Sequence, residues 1–141
     1  MSRLVLDMDF DDDYDFDIIG IYCKAKGFKL AWGINRALGI RLGRTQDDLS
    51  LPHKNADDSL HNKYDYVCPV SHVRYELLEN KSGVDYLLPE HKQVDYFLLL
   101  HDNDILNCDE LVDQLRDVTF VSTAITIEGA TLKNRDNLIT E

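Results

Sequence analysis

The sequence predicts one α+β domain in two layers: a mainly antiparallel β-sheet, one clear helix near the C-terminus and a short second helix. Apolar residues recur at every second position through most of the 141-residue chain, the pattern of strands that bury one face. The segments so patterned are joined by short turn sequences, as antiparallel neighbours are. One stretch near the end repeats with helical period instead, which sets a helix against that sheet. A chain of this length buries roughly 68–70% of the surface its unfolded form exposes, enough for a single core.

Leu4, Leu6, Met8 and Phe10 share one face of a first strand. Tyr14, Phe16, Ile18 and Tyr22 line the next, followed by Phe28, Leu30, Trp32 and Ile34, which reads as a hairpin turned near Gly27. Asn35 is placed to cap a short helical turn through Leu38 that Gly39 ends. Residues 45–63 are polar and weakly patterned, a loop with a short strand around Leu49 and Leu51. Tyr64, Tyr66 and Cys68 alternate again, residues 69–72 turn the chain, and Val73, Tyr75 and Leu77 return it. After a turn at 80–83, Val-Asp-Tyr occurs at 84–86 and again at 94–96, two arms around a loop at Pro89. The best helix begins at Asn107, whose side chain is spaced to accept from the amide of Glu110, with Leu106 and Leu111 as a hydrophobic staple. Cys108, Leu111, Val112, Leu115 and Val118 form its apolar stripe, and Asp109, Glu110 and Arg116 suit its dipole. A β-branched strand, Thr119 to Ile127, leads to a flexible polar tail from about 134.

Composition narrows the function classes. Hydrophobic residues are 44% and charged residues 29%, ordinary globular usage that favours neither disorder nor a membrane class. The longest strongly apolar run, Tyr96 to Leu100, falls far short of the roughly 20 residues a spanning helix needs. Met1-Ser2-Arg3 leads into aspartates and not into a signal-peptide core, so a cytoplasmic protein without membrane contact is expected. Cys23, Cys68 and Cys108 are widely spaced and suit neither a disulfide framework nor a zinc site. The net charge of −11 disfavours nucleic acid and anionic lipid as partners. Residues 24–44 are nonetheless basic, with Lys24, Lys26, Lys29, Arg36, Arg41 and Arg44 and no acid. With Phe28 and Trp32 this block has the composition of an RNA-binding surface. In the hairpin reading, however, Trp32 joins the apolar face and the core, and the cations form a solvated face that neutralises the preceding aspartates.

Those aspartates number seven between residues 4 and 17. An EF-hand needs glycine at loop position 6 and glutamate at 12, and registers begun at Asp7, Asp9 or Asp11 supply neither. Leu4-Val5-Leu6-Asp7-Met8-Asp9 resembles the first motif of haloacid-dehalogenase-type phosphotransferases. That resemblance implies Asp7 as nucleophile, Asp9 as acid and base, a Mg²⁺ cofactor, and Ser122 or Thr123 with Lys133 in the later motifs. The match departs at Asp11, and the parallel βα pattern is missing. The plainer reading has the aspartates facing water between inward apolar residues, where they blunt sheet edges. The five histidines lack metal-ligand spacing and read as surface or loop residues, while Cys68 and His72 flank a turn as a thiol and base would.

Leu88-Pro89-Glu90-His91-Lys92-Gln93-Val94-Asp95-Tyr96 resembles the signature of the bacterial IPExxxVDY family, with leucine for the first isoleucine. Gly20-Ile21, residues 32–35 and Asp136-Asn137-Leu138 are similar to that family's layout, so the likeness spans nearly the whole chain. It implies a shape and no assigned activity. Within the signature Val94, Tyr96, Leu98 and Leu100 point one way along a strand, and Asp95, Phe97 and Leu99 the other, so Asp95 needs a donor. Glu90 and Asp95 are candidates for a carboxylate pair in acid/base work; alternatively Asp95 accepts backbone amides while Tyr96 anchors the core. Glu90, Asp95 and Tyr96 are the candidate binding residues. The expected function is a non-enzymatic binding or adaptor module with a protein partner, no cofactor and no metal, able to self-associate through a sheet edge. The alternative is a Mg²⁺-dependent phosphotransferase using Asp7 and Asp9.

Overall fold

The computed structural model describes residues 16–54 and 56–139. In chain order the elements are β1 (Phe16–Cys23), α1 (Gly27–Leu38), β2 (Gly43–Arg44), β3 (Leu49–His53), β4 (Ala56–His61), β5 (Lys63–Val67) and β6 (Arg74–Glu79). They continue with β7 (Lys81–Ser82), β8 (Asp85–Tyr86), β9 (Tyr96–His101), α2 (Cys108–Arg116) and β10 (Val121–Ile127). Six strands make one sheet in the order β10-β1-β9-β6-β5-β2, each neighbouring pair antiparallel. This is the α+β domain that the alternation predicts. The first expected strand, Leu4 to Phe10, lies outside the described residues.

β9 runs through the middle, with Leu98 opposite Ile19 of β1 and Leu77 of β6. Tyr96, Leu98 and Leu100 pack beneath α1 and α2 in one cluster with Leu30, Ile34 and Leu115. Phe97 and Leu99 join Ile18, Leu78, Leu87, Leu88 and Leu138 in a second cluster on the opposite face. Because both faces are covered, Tyr96 to Leu100 reads as an unbroken apolar run instead of alternating. Val94 precedes the strand and sits in the second cluster, not in line with Tyr96.

The segment predicted as a hairpin at Gly27 is instead the twelve-residue helix α1. Its buried residues Gly27, Leu30, Ala31 and Ile34 follow the three-and-four spacing of a helix, which the coincident alternation of Phe28, Leu30, Trp32 and Ile34 masks. Gly39 does end it, at φ 68° with its amide donating to the Asn35 carbonyl; only glycine takes that conformation without a Cβ penalty. Asn35 caps nothing. Its side chain receives the Leu42 amide at 2.8 Å and donates to the Leu42 carbonyl at 3.2 Å, which fixes the exit from the helix.

Two more expectations change. The short strand expected around Leu49 and Leu51 is β3, but it pairs with an unexpected second strand, β4, with Leu49 opposite His61, so most of 45–63 is a hairpin and not a loop. The tail from 134 forms a 3₁₀ turn over Arg135–Leu138, which buries Leu138 completely and sends Asn137 Nδ2 to the Leu87 carbonyl at 2.8 Å. The β5–β6 hairpin and α2 stand where the sequence places them, with Asn107 Oδ1 accepting from the Asp109 and Glu110 amides.

Two polar clusters sit inside this framework, and sequence reading found neither. Glu76 is fully buried, with His101 Nε2 at 2.6 Å and Lys63 Nζ and Arg74 Nη1 each at 3.1 Å. His61, expected at the surface, is also fully buried. Its Nδ1 lies 3.0 Å from the Glu79 carbonyl, its Nε2 lies 2.8 Å from Ser59 Oγ, and His53 Nε2 touches that same oxygen at 2.8 Å. A carbonyl only accepts, so Nδ1 carries the proton and neutral His61 accepts from the Ser59 hydroxyl through Nε2. The Ser59 oxygen is then left to accept from His53. Burial, which penalises the charged ring, holds the His61 pKa below its ordinary value.

Candidate binding surface

The three signature residues each pin a different piece of chain. Glu90 follows the Pro89 that opens a 3₁₀ turn. Its Oε2 receives the amides of Lys133 and Asn134, both at 2.9 Å, and its Oε1 receives Asn134 Nδ2 at 2.9 Å. Partial burial pushes this carboxyl up, but the donors from Asn134 and Lys133 outweigh that and hold it below its usual range. Asp95 receives the Cys23 amide on Oδ2 at 2.8 Å, where β1 breaks away from β9. Lys24 Nζ stands 3.5 Å from the other oxygen with its side chain 89% exposed, a pairing of little energetic weight. Tyr96 is buried under the helices and donates its hydroxyl to the Ala25 carbonyl at 3.0 Å; burial pushes its phenol up.

The structure therefore separates Glu90 from Asp95. One carboxylate holds residues 133–134 and the other holds the end of β1, so they form no acid/base pair. Asn80, fully buried, completes the loop: its Nδ2 donates to the His91 and Val94 carbonyls at 2.8 Å each, and its Oδ1 receives the Leu88 amide at 3.0 Å. The sequence reads Asn80 only as the start of a turn, and its complete burial is a tertiary fact.

The other candidates divide in the same way. Asp7 and Asp9 lie outside the described residues. Lys133 is held through its backbone by Glu90, and Ser122 and Thr123 lie on β10. At the 69–72 turn the His72 amide donates to the Cys68 carbonyl at 2.9 Å. The group that lowers the Cys68 thiol is the Ser71 hydroxyl, then the Ser71 backbone, and not the His72 ring. Among the described residues no group of three or more His, Cys, Asp or Glu side chains is placed to hold a metal ion.

What the structure brings to the surface is the outer face of α1. Leu30, Ala31 and Ile34 face the sheet, so Phe28, Lys29, Trp32 and Arg36 fall on the opposite side. Phe28 is 67% and Trp32 56% exposed, which reverses the expectation that Trp32 lies in the core. Every exposed side chain between the two ends of this helix is aromatic or basic. Arg36 stands over the Trp32 ring at 5.0 Å and Lys29 over the Phe120 ring at 5.3 Å, both cation–π contacts. Of the other exposed apolar residues, Val70, Val84 and Ile105 lie in turns or bends, and Leu60 and Val67 lie on β4 and β5. Phe28 and Trp32, one helical turn apart, make a patch whose burial is worth about 1.5–3 kcal/mol apiece.

Hollows flank the patch at both ends. One of about 480 Å³ lies between α1 and residues 114–120, lined by Trp32, Arg36, Ala37, Gln114, Asp117, Val118 and Phe120. The second, about 450 Å³, lies at the start of α1 among Lys24, Lys26, Phe28, Arg44, Tyr64 and Tyr96. Both hollows are lined by aromatic and basic side chains, with one acid in each, Asp117 in the first and Glu79 in the second.

Fold and surface define a class: an antiparallel α+β domain with exposed aromatic and basic side chains on its first helix. No protein-family profile and no curated protein matches the chain. No helix among the described residues is long and apolar enough to cross a membrane.

Proposed function

We propose that this protein is a non-enzymatic binding or adaptor module of the cytoplasm, belonging to the IPExxxVDY family, and that a protein partner docks on the outer face of α1. One observation carries the reading: Phe28 and Trp32 stand exposed at helical neighbour spacing amid Lys29 and Arg36. Trp, Phe and Arg are the residue types that dominate interface energetics when they are buried by a partner. Two of the signature residues support the reading indirectly, because they fix the frame that presents α1. Tyr96 and Asp95 tie down residues 23–25, immediately before the helix.

The test is a photo-crosslinking side chain at position 29, expressed in the native cell, in otherwise unchanged protein and in Phe28→Ser/Trp32→Ser protein. A discrete crosslinked partner that disappears in the double variant, with thermal stability unchanged, is expected. Crosslinks that survive the double substitution, or none at all, overturn the proposal.

A further inference from the structure

We infer that the occupant of the α1 face is an extended acidic segment of a partner protein carrying an apolar side chain that seats in the hollow beside Trp32. The inference rests on the docking reading above and names the chemistry of what docks.

Charge selects an acidic occupant. Of the six cations between residues 24 and 44, Lys24 and Arg44 already face Asp95 and Asp48. Lys26, Lys29, Arg36 and Arg41 have no acid within 4.0 Å among the described residues. Beyond a Debye length of about 8–10 Å the net charge is screened, so a docking segment meets the local field, and the local field is positive. Shape admits an apolar anchor, because Trp32, Ala37, Val118 and Phe120 line the 480 Å³ hollow beside the polar Arg36 and Gln114. The helix from Lys26 to Arg36 extends about 15 Å, the reach of four or five residues of extended chain at about 3.3 Å each.

Single-stranded nucleic acid fits less well. Stacking needs an open ring face, and Arg36 already covers one face of Trp32.

Trp32 is the only tryptophan in the chain, so its emission reports directly on the hollow. The probes are a fluorescein-labelled peptide Asp-Glu-Leu-Asp-Phe-Glu-Asp, the same peptide with serine for Leu and Phe, a peptide with every acid replaced by lysine, and labelled oligothymidylate. The first peptide is expected to bind, to shift the Trp32 emission and to weaken as salt rises. Its affinity should fall about tenfold or more, that is about 1.4 kcal/mol, in the serine peptide and in Lys29→Glu/Arg36→Glu protein. The lysine peptide should not bind. Failure of the first peptide at low salt, or binding indifferent to Lys29→Glu/Arg36→Glu, overturns the inference. If oligothymidylate alone binds and shifts Trp32, the face is a docking site with a different occupant: the inference falls and the surface stands. If no probe binds and position 29 yields no crosslink, both fall.

Discussion

The Cys23 amide donates to Asp95 Oδ2 at 2.8 Å across 72 positions of sequence. β1 and β9 run side by side as far as Ile21 and Tyr96, and beyond that register the carboxylate takes the place of a strand partner. A neutral backbone donor is thereby matched to an ionised acceptor, the stronger kind of hydrogen bond. Asp95→Ala leaves the Cys23 amide partly buried and unmet, and should cost about 1.5–3 kcal/mol. Asp95→Asn keeps an oxygen acceptor and should cost less than half of that. Urea unfolding of the two variants checks the ordering; equal stabilities would refute it.

Asn80 should be the most sensitive polar position in the loop before β9. Asn80→Ala leaves the Leu88 amide and the His91 and Val94 carbonyls without their partner. At about 1 kcal/mol for each lost bond, the loss should be about 3 kcal/mol or more. Asn80→Asp should be no better, because it turns a carboxylate toward two carbonyl oxygens. Thermal melts compared with wild type measure both.

Glu90 ties stability of the C-terminal segment to acidity. Its folded carboxyl is held below the ordinary range, so its contribution is complete above that range and is lost as pH falls through the folded value. Amide hydrogen exchange at Lys133 and Asn134 should accelerate on acidification relative to intrinsic rates. In Glu90→Gln it should be fast at every pH, since one oxygen is replaced by a donor facing donors. Exchange at these two amides that ignores the substitution would dismiss the clamp.

His61 acts at a higher pH with the same sign. Its folded pKa lies below the ordinary 6.5, so below that value the unfolded chain binds the extra proton first and the native state loses ground. Stability should therefore drop as pH falls below about 6.5. His61→Gln, which can still donate to the Glu79 carbonyl and accept from Ser59, should flatten that part of the profile. Nitrogen NMR should find neutral His61 protonated on Nδ1; an Nε2–H tautomer would contradict the hydrogen-bond chain.

Much of the architecture is legible in the chain alone. The alternation of Tyr64 and Tyr66 against Tyr75 and Leu77 specifies the β5–β6 hairpin, and the Asn107 cap with the stripe through Leu115 specifies α2, because both signals are local and their periods are unambiguous. α1 was misread because Phe28, Leu30, Trp32 and Ile34 satisfy a period of two while Leu30, Ala31 and Ile34 satisfy 3.6. Only packing against β9 decides between them.

The same ambiguity hid the exposed face of α1, since a strand would bury the Trp32 that the helix exposes. Local residue pattern alone determined an antiparallel α+β domain, the second helix, and an acidic chain with one basic block, all consequences of residues close in sequence. Tertiary structure alone decided that Glu90 and Asp95 work apart, that Glu76 and His61 are buried with partners, and that Phe28 and Trp32 face out. Those facts depend on which distant backbone groups and side chains arrive beside each residue, and no local pattern encodes that arrival.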